Sequence, residues 1–253
     1  MPPEHRPLEQ ALAFMRAGVV ATADAAREIN AGIVLSTPSL PAVWAVNQLR
    51  VADGLTFDEL VNLAEEQLTG LDYRQVEVEH QATGPELEVA FRHAGWKVER
   101  HVIMVHTAAA DRPADTSIVE PVGEEELLKL IRRWYEEDEP TLSEIDQLVA
   151  YARREARVLG DRLLGVRSAD GQLVAMTKLR SDGRIAQVED VYTAAEARGR
   201  GFARSLVTRA TELAIAGEHD PVFIVADDVD WPKLLYERLG FRSVGHLWQF
   251  HRG

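Results

Sequence analysis

Arg198-Gly199-Arg200-Gly201-Phe202-Ala203 restricts the fold more than any other stretch, because it joins a segment that reads as a strand to one that reads as a helix. The strand is Arg184–Thr193, RIAQVEDVYT. The helix spans Gly201–Ala216, with Leu206, Val207, Ala210, Leu213 and Ala214 on one face at i, i+3, i+4, i+7 spacing. Glycines at a helix entrance let backbone N–H groups point outward with no Cβ in the way, and the helix terminus adds partial positive charge. Together they form a phosphate cradle made of main chain. Alone, the hexapeptide would also fit a flexible turn or a basic patch for nucleic acid. A second segment, Asp230–Phe241 (DWPKLLYERLGF), selects among these readings.

The order strand, Arg198-x-x-Gly201-x-Ala203, helix, strand, Leu235-Tyr236-x-x-Leu239-Gly240-Phe241 resembles the GNAT superfamily of acyl-CoA-dependent N-acyltransferases over residues 117–253. The family loop is Gln/Arg-x-x-Gly-x-Gly/Ala, and two motifs in the right order are far more specific than either alone. The resemblance implies an α/β fold with a mixed sheet flanked by helices. It also implies acetyl-CoA as co-substrate, no metal, and acetyl transfer to a primary amine of a small molecule or peptide by direct attack. Backbone N–H groups of Arg198, Gly199, Arg200, Gly201, Phe202, Ala203 and Arg204 would hold the pyrophosphate. Main chain of Val191, Tyr192 and Thr193 would hold the pantetheine arm, with the Val191 N–H facing the thioester oxygen. The family's tyrosine at Tyr236 donates a proton to the thiolate.

Glu189 is the expected base, with Asp190 as its structural partner. Strand alternation puts Gln187, Glu189 and Val191 on one face and Val188, Asp190 and Tyr192 on the other. Several family enzymes carry Glu where Gln187 stands; the Glu-Asp-Val pattern here is closer to glucosamine-6-phosphate N-acetyltransferases, so the identity of the base stays open. Trp134, Tyr135 and the acidic run 136–139, with Asp227, Asp228, Asp230 and Trp231, either line an acceptor site for a cationic amine or are solvated helix-capping surface. A catalytically silent acyl-CoA-binding module is the alternative class, and retention of both the cradle and Tyr236 favours the enzyme.

Net charge of −13 opposes a nucleic-acid or anionic-membrane partner. Absence of cysteine excludes disulfides and a thiol nucleophile. The eight histidines show no HxxxH pairing, so no metal site is expected. No apolar run reaches membrane-spanning length, and MPPEHRPLEQ lacks the apolar core of a signal peptide, so a cytoplasmic protein is expected. Both a monomer and a homodimer fit.

The chain also reads as two copies of one pattern. Ala90-Phe91-Arg92-His93-Ala94-Gly95-Trp96 parallels Leu235–Phe241, Val102–His106 parallels Leu247–His251, Val76–Val78 parallels Val222–Val225, and Val46–Val51 parallels Val188–Thr193. The expected division is 1–112, a degenerate copy, and 113–253, the catalytic copy, with a boundary in Ala108–Asp115 (AAADRPAD). In the first copy Thr56, Asp58 and Glu59 fall where Arg198, Arg200 and Gly201 stand, so a Thr-x-x-Glu capping box replaces the cradle and its carboxylates repel phosphate. Phe91 keeps the ring of Tyr236 and drops the hydroxyl. Further expectations are a helix over Phe57–Leu68, a strand over Thr116–Val122, helices over Glu124–Trp134 and Leu142–Leu159, and a hairpin of Arg162–Ser168 and Leu173–Arg180 turning at Asp170-Gly171.

Overall fold

A computed structural model describes residues 6–137 and 141–253. The first half runs α1 (Arg6–Thr22), β1 (Ala25–Ile29), β2 (Gly32–Ser36), β3 (Leu49–Val51), α2 (Phe57–Gln67), β4 (Arg74–Val78), α3 (Gly84–His93) and β5 (Lys97–His106). The second half begins with β6 (Glu120–Pro121), α4 (Glu124–Glu136), α5 (Leu142–Val158), β7 (Arg162–Arg167) and β8 (Leu173–Ser181). It ends with β9 (Ala186–Thr193), α6 (Phe202–Ala216), β10 (Val222–Asp227), α7 (Pro232–Arg238) and β11 (Phe241–Arg252). The expected helices and hairpin are present within a residue or two. Two expected strands are shorter. Thr116–Val122 contributes only Glu120–Pro121, and Val46–Val51 contributes only Leu49–Val51 after a 3₁₀ turn at Trp44–Val46. Asn47 is the cause of the second difference. Its side chain accepts from Thr37 N–H (2.7 Å) and donates to the carbonyls of Leu40 and Val43 (both 2.9 Å), which holds this stretch in a loop instead of a ladder.

All the strands join one mixed sheet in the order β1-β2-β3-β4-β11-β5-β10-β9-β8-β7-β6. The two terminal strands of the halves are exchanged. β5, from the first half, pairs with β10, and β11, from the second, pairs with β4; β5 and β11 pair with each other in the middle. The cores follow the exchange. Val102 and Met104 of β5 pack with Leu206, Val207, Ala210 and Tyr236, whereas Trp248 and Phe250 of β11 pack with Leu60, Ala64, Leu87 and Phe91. Phe91 stacks on Phe250 at 4.1 Å between ring centroids. Adjacent residues of β5 and β11 alternate between these clusters and one built on Leu8, Ala11, Leu12 and Phe14 of α1. So α2, α3, α6 and α7 cover one face, and α1, α4 and α5 cover the other.

Gly240 locks the exchanged strand at its start. Its φ is +91°, a β-carbon there would overlap the carbonyl oxygen of Ala108, and its own carbonyl accepts from Thr107 (2.9 Å) and Ala108 (3.2 Å) N–H. Gly240→Ala is expected to cost roughly 2 kcal/mol through strain and overlap. That corresponds to a fall in Tm of roughly 4–8 °C for a chain of this size. Thermal unfolding at wild-type temperature would contradict the close approach.

Candidate active site

β9 and β10 pair in parallel only over Ala186–Val188 with Val222–Ile224. Beyond Val188 they register no further pairs, so the sheet opens as a wedge towards the C-terminal ends of both strands. Such an opening is where α/β sheets offer main-chain groups and helix N-termini to a ligand. On its other side β9 carries a bulge: Glu189 faces Lys178 and Tyr192 faces Met176, leaving Asp190 and Val191 opposite Thr177 alone. Asp190 has a left-handed backbone (φ +53°), uncommon for a residue with a Cβ.

The bulge corrects the expected alternation. Val188 and Val191 both pack on the α6 side, while Tyr192 packs on the α4 side with Met176 and Leu127. Gln187 and Glu189 stay on one face, and the Gln187 amide donates to the Glu189 carboxylate.

A cleft of ≈ 580 Å³ lies at the wedge. It brings together Val191, Tyr192 and Thr193 of β9, Arg198, Gly199, Gly201, Phe202, Ala203 and Arg204 of the loop and first turn of α6, and Tyr236 of α7. Trp134 and Trp231 line it too. Arg200 does not; its guanidinium reaches the Glu196 carbonyl (3.4 Å). Gly199 (φ +78°) and Gly201 (φ +83°) both adopt the left-handed backbone, and a β-carbon at either would meet open space. Gly201 caps α6 without any side-chain hydrogen bond, and no acidic residue stands in the first turn. The leading N–H groups of α6 are therefore free to bind an anion. In α2 the same terminus is closed: Thr56 and Glu59 form a full capping box, with Asp58 beside them.

Arg198 bridges the cleft edge. It donates to the Thr193 carbonyl (3.0 Å) and the Glu137 carboxylate (2.8 Å), and Glu137 accepts from the Tyr192 hydroxyl (2.5 Å). The Trp134 and Tyr192 rings stack at 5.3 Å, and Tyr135 stacks on Trp134 at 5.8 Å. Tyr135 itself turns away from the cleft, towards the charged groups beneath α5, and burial raises its phenol pKa. Asp138 and Glu139 of the acidic run lie outside the described residues.

Glu189 stands beside the cleft instead of on its wall. Burial and the charge of Asp190 push its carboxyl up to about 8, against the pull of Arg180 and Lys178. Burial also raises the Tyr236 phenol, and the charge of Glu189 adds to it, which places the two groups within electrostatic reach. The Tyr236 hydroxyl makes no hydrogen bond to any described residue, while its ring packs in the core with Leu239 and Phe241.

Of the aspartates after β10, Asp230 lines the cleft, whereas Asp228 and Asp227 are structural. Asp228 is nearly buried and pairs with Arg100 (2.7 Å) and Lys233 (2.5 Å), joining β10 to β5 and α7. Asp227 accepts from Val229 N–H (2.9 Å) and so shapes the turn after β10. Sequence reasoning did not reach Arg112, Pro232, Leu235 and Arg238, which also line the cleft, or Lys178. Arg238 lies inside the Tyr236 motif; nothing local marks Arg112, which is four residues past Ala108 in the connecting segment.

Lys178 is fully buried, and its ammonium lies 2.5 Å from Asp190 and 3.1 Å from Glu155 of α5. Arg180 beside it pairs with Asp161 (2.9 Å) and Glu155 (3.1 Å). The ion pair fastens the strained bulge to α5. No cluster placed to hold a metal occurs among the described residues, and no helix there is long and apolar enough to cross a membrane.

A split mixed sheet with an uncapped, glycine-led helix at the opening is a scaffold for an anionic ligand laid along β9. Residues 125–241 match the model of the acetyltransferase (GNAT) family. Three solved structures share the architecture. A functionally unknown conserved protein from Staphylococcus epidermidis is 14% identical, covers 89% of this chain and 92% of its own, and superposes with a TM-score of 0.71. A GCN5-related N-acetyltransferase from Kribbella flavida is 18% identical over 97% of this chain and 95% of its own, with a TM-score of 0.62. A GCN5-related N-acetyltransferase from Sphaerobacter thermophilus is 13% identical over 77% and 64%, with a TM-score of 0.53. At these identities the likeness is one of fold, and in the first two it extends through both halves. No curated protein matches the chain.

Replacing Lys178 by Met leaves Asp190 without its buried counter-charge and Glu155 with Arg180 alone. A loss of roughly 3 kcal/mol is expected, as for breaking other buried pairs from one side. Urea denaturation measures it, and wild-type stability would mean that the pair does not hold the bulge.

Proposed function

We propose that the protein is an acyl-CoA-dependent N-acyltransferase that moves an acetyl group from acetyl-CoA to a primary amine of a small molecule or peptide. One observation carries this reading: a single cleft unites the open main-chain cradle of Gly199 and Gly201–Arg204, the unpaired edge of β9 at Val191 and Tyr236, whose hydroxyl has no partner among the described residues. The residues fit a CoA thioester. Open space at Gly199 and Gly201 admits phosphate against the helix terminus, and the cleft volume suits a ligand of that size.

Acetyl-CoA supplies an acyl group activated as a thioester. Glu189 takes the proton of the amine, through water because it stands behind the cleft wall. Val191 has no register partner in either β8 or β10, and its N–H donates to the thioester oxygen as negative charge grows there. Tyr236 gives its proton to the departing sulfur. Its raised pKa makes it a poor acid in isolation, so the transfer depends on contact with the thiolate. Trp134 and Trp231 flank the side from which the amine enters.

The first half, residues 1–112, acts as a degenerate copy that supports the second. The capping box of α2 supplies from within the protein the negative charge that phosphate would bring. On β3 stands Arg50, buried and clamped by Glu77 (2.7 Å) and Glu79 (2.5 Å). One CoA is therefore expected per chain, and a titration that saturates at two would overturn the degenerate copy.

The deciding experiment is thiol release from acetyl-CoA across a panel of primary amines. Activity on none of them, with tight CoA binding, would leave a silent binding module. Gly201→Glu should weaken acetyl-CoA binding at least tenfold, about 1.4 kcal/mol, and unchanged calorimetric affinity in a folded variant would remove the cradle. For an active acceptor, Tyr236→Phe should lower kcat by roughly 10² with little change in Tm. A carboxyl titrating at about 8 must lose its proton to act as base, so kcat/KM should rise with pH through about 8. That limb should vanish in Glu189→Gln; its persistence would assign the base elsewhere.

A further inference from the structure

The charge of the cleft runs against that of the chain. The protein carries −13, yet the cleft is lined by Arg112, Arg198, Arg204 and Arg238 against one carboxylate, Asp230. Two of these arginines are already engaged. Arg198 holds Glu137 and the Thr193 carbonyl, and Arg204, nearly buried, pairs with Asp111 (2.7 Å). The side chains of Arg112 and Arg238 make no ion pair or hydrogen bond with any described residue, and both are exposed.

Their backbones are nonetheless fixed to one another. The Asp111 N–H donates to the Arg238 carbonyl (2.8 Å), and the Arg204 guanidinium donates to both the Asp111 carboxylate and the Arg112 carbonyl (3.4 Å). The segment after β5, the end of α7 and the first turn of α6 are thus tied into one rim. Arg112 and Arg238, both on this rim, line the same cleft and carry guanidinium groups with no partner among the described residues.

The main-chain cradle accounts for one anionic group. N–H groups at a helix terminus suit the spread charge of a pyrophosphate. A phosphomonoester concentrates nearly two charges on three oxygens and calls for guanidinium forks instead. We propose that Arg112 and Arg238 form a separate phosphomonoester subsite, which selects CoA carrying its 3′-phosphate over 3′-dephospho-CoA. This rests on the reading of the cleft as an acyl-CoA site.

Calorimetric titration of CoA and of 3′-dephospho-CoA tests it on the full chain and on Arg112→Ala, Arg238→Ala and the double variant. The wild type should bind CoA at least tenfold more tightly than the dephospho form. The double variant should bind both alike, at the wild-type affinity for 3′-dephospho-CoA, and each single variant should fall between. Arg184→Ala, an equal change of charge at an exposed position outside the cleft, should alter neither affinity. Thermal melting without ligand should be nearly unchanged in all variants, because the replaced side chains make no ion pair or hydrogen bond with described residues. Equal wild-type affinity for the two ligands, a preference that survives in the double variant, or an equal loss for both ligands would each overturn the subsite. Failure of the wild type to bind either ligand would instead overturn the acyl-CoA reading itself.

Discussion

The pairing of β5 with β11 is the interaction on which the rest of the structure depends. These strands run antiparallel from Phe241 opposite His106 to His251 opposite Lys97, and each delivers its side chains to the core of the other half. Neither half completes a sheet from its own residues. Were β5 absent, β10 would expose an unpaired edge beside the wedge, and the core around Tyr236 would lose Val102 and Met104. The first half therefore shapes the cleft without lining most of it.

A second device is the buried polar layer under α5. Glu155, Asp161, Lys178, Arg180, Glu189 and Asp190 gather on one face of β8 and β9, where an apolar layer would pack more cheaply. The layer holds Asp190 in its left-handed conformation, and burial there makes Glu189 hard to ionise. α5 is braced from the first half: Gln147 accepts from Ala42 N–H (2.8 Å), Arg154 pairs with Asp24 (2.7 Å), and the hydroxyls of Tyr151 and Thr22 meet at 3.2 Å. Support for the bulge thus reaches across the molecule through one helix.

The two helices that follow β3 and β9 illustrate how one local choice separates structure from function. Both need their leading N–H groups satisfied. In α2, Thr56 and Glu59 do this from within the chain, and the terminus is finished. In α6, Gly201 leaves them open beside a cleft rich in arginine. A glycine at the N-cap is less stabilising than threonine by only a few tenths of a kcal/mol, a small cost that makes sense where a ligand supplies the missing acceptor.

What the sequence by itself determined were the features set by local backbone chemistry. The glycines of the cradle, the Thr56–Glu59 box, the Asp170-Gly171 turn and the Gly240-Phe241 closure were legible because each is a requirement of a few adjacent residues. Most helices were legible as well, because apolar periodicity is local. What only the tertiary structure decided depended on partners distant in the chain. The exchange of β5 and β11 cannot be read locally, since either strand would satisfy either neighbour by pattern alone. The bulge at Asp190 inserts one residue into a ladder and moves Val191 to the opposite face, which an uninterrupted alternation cannot anticipate. Arg112 enters the cleft because Asp111 bonds to Arg238 and Arg204, three segments that meet only when the sheet has formed. Pairing, register and convergence are properties of the assembled chain, because their energies come from contacts that exist only once the chain has closed on itself.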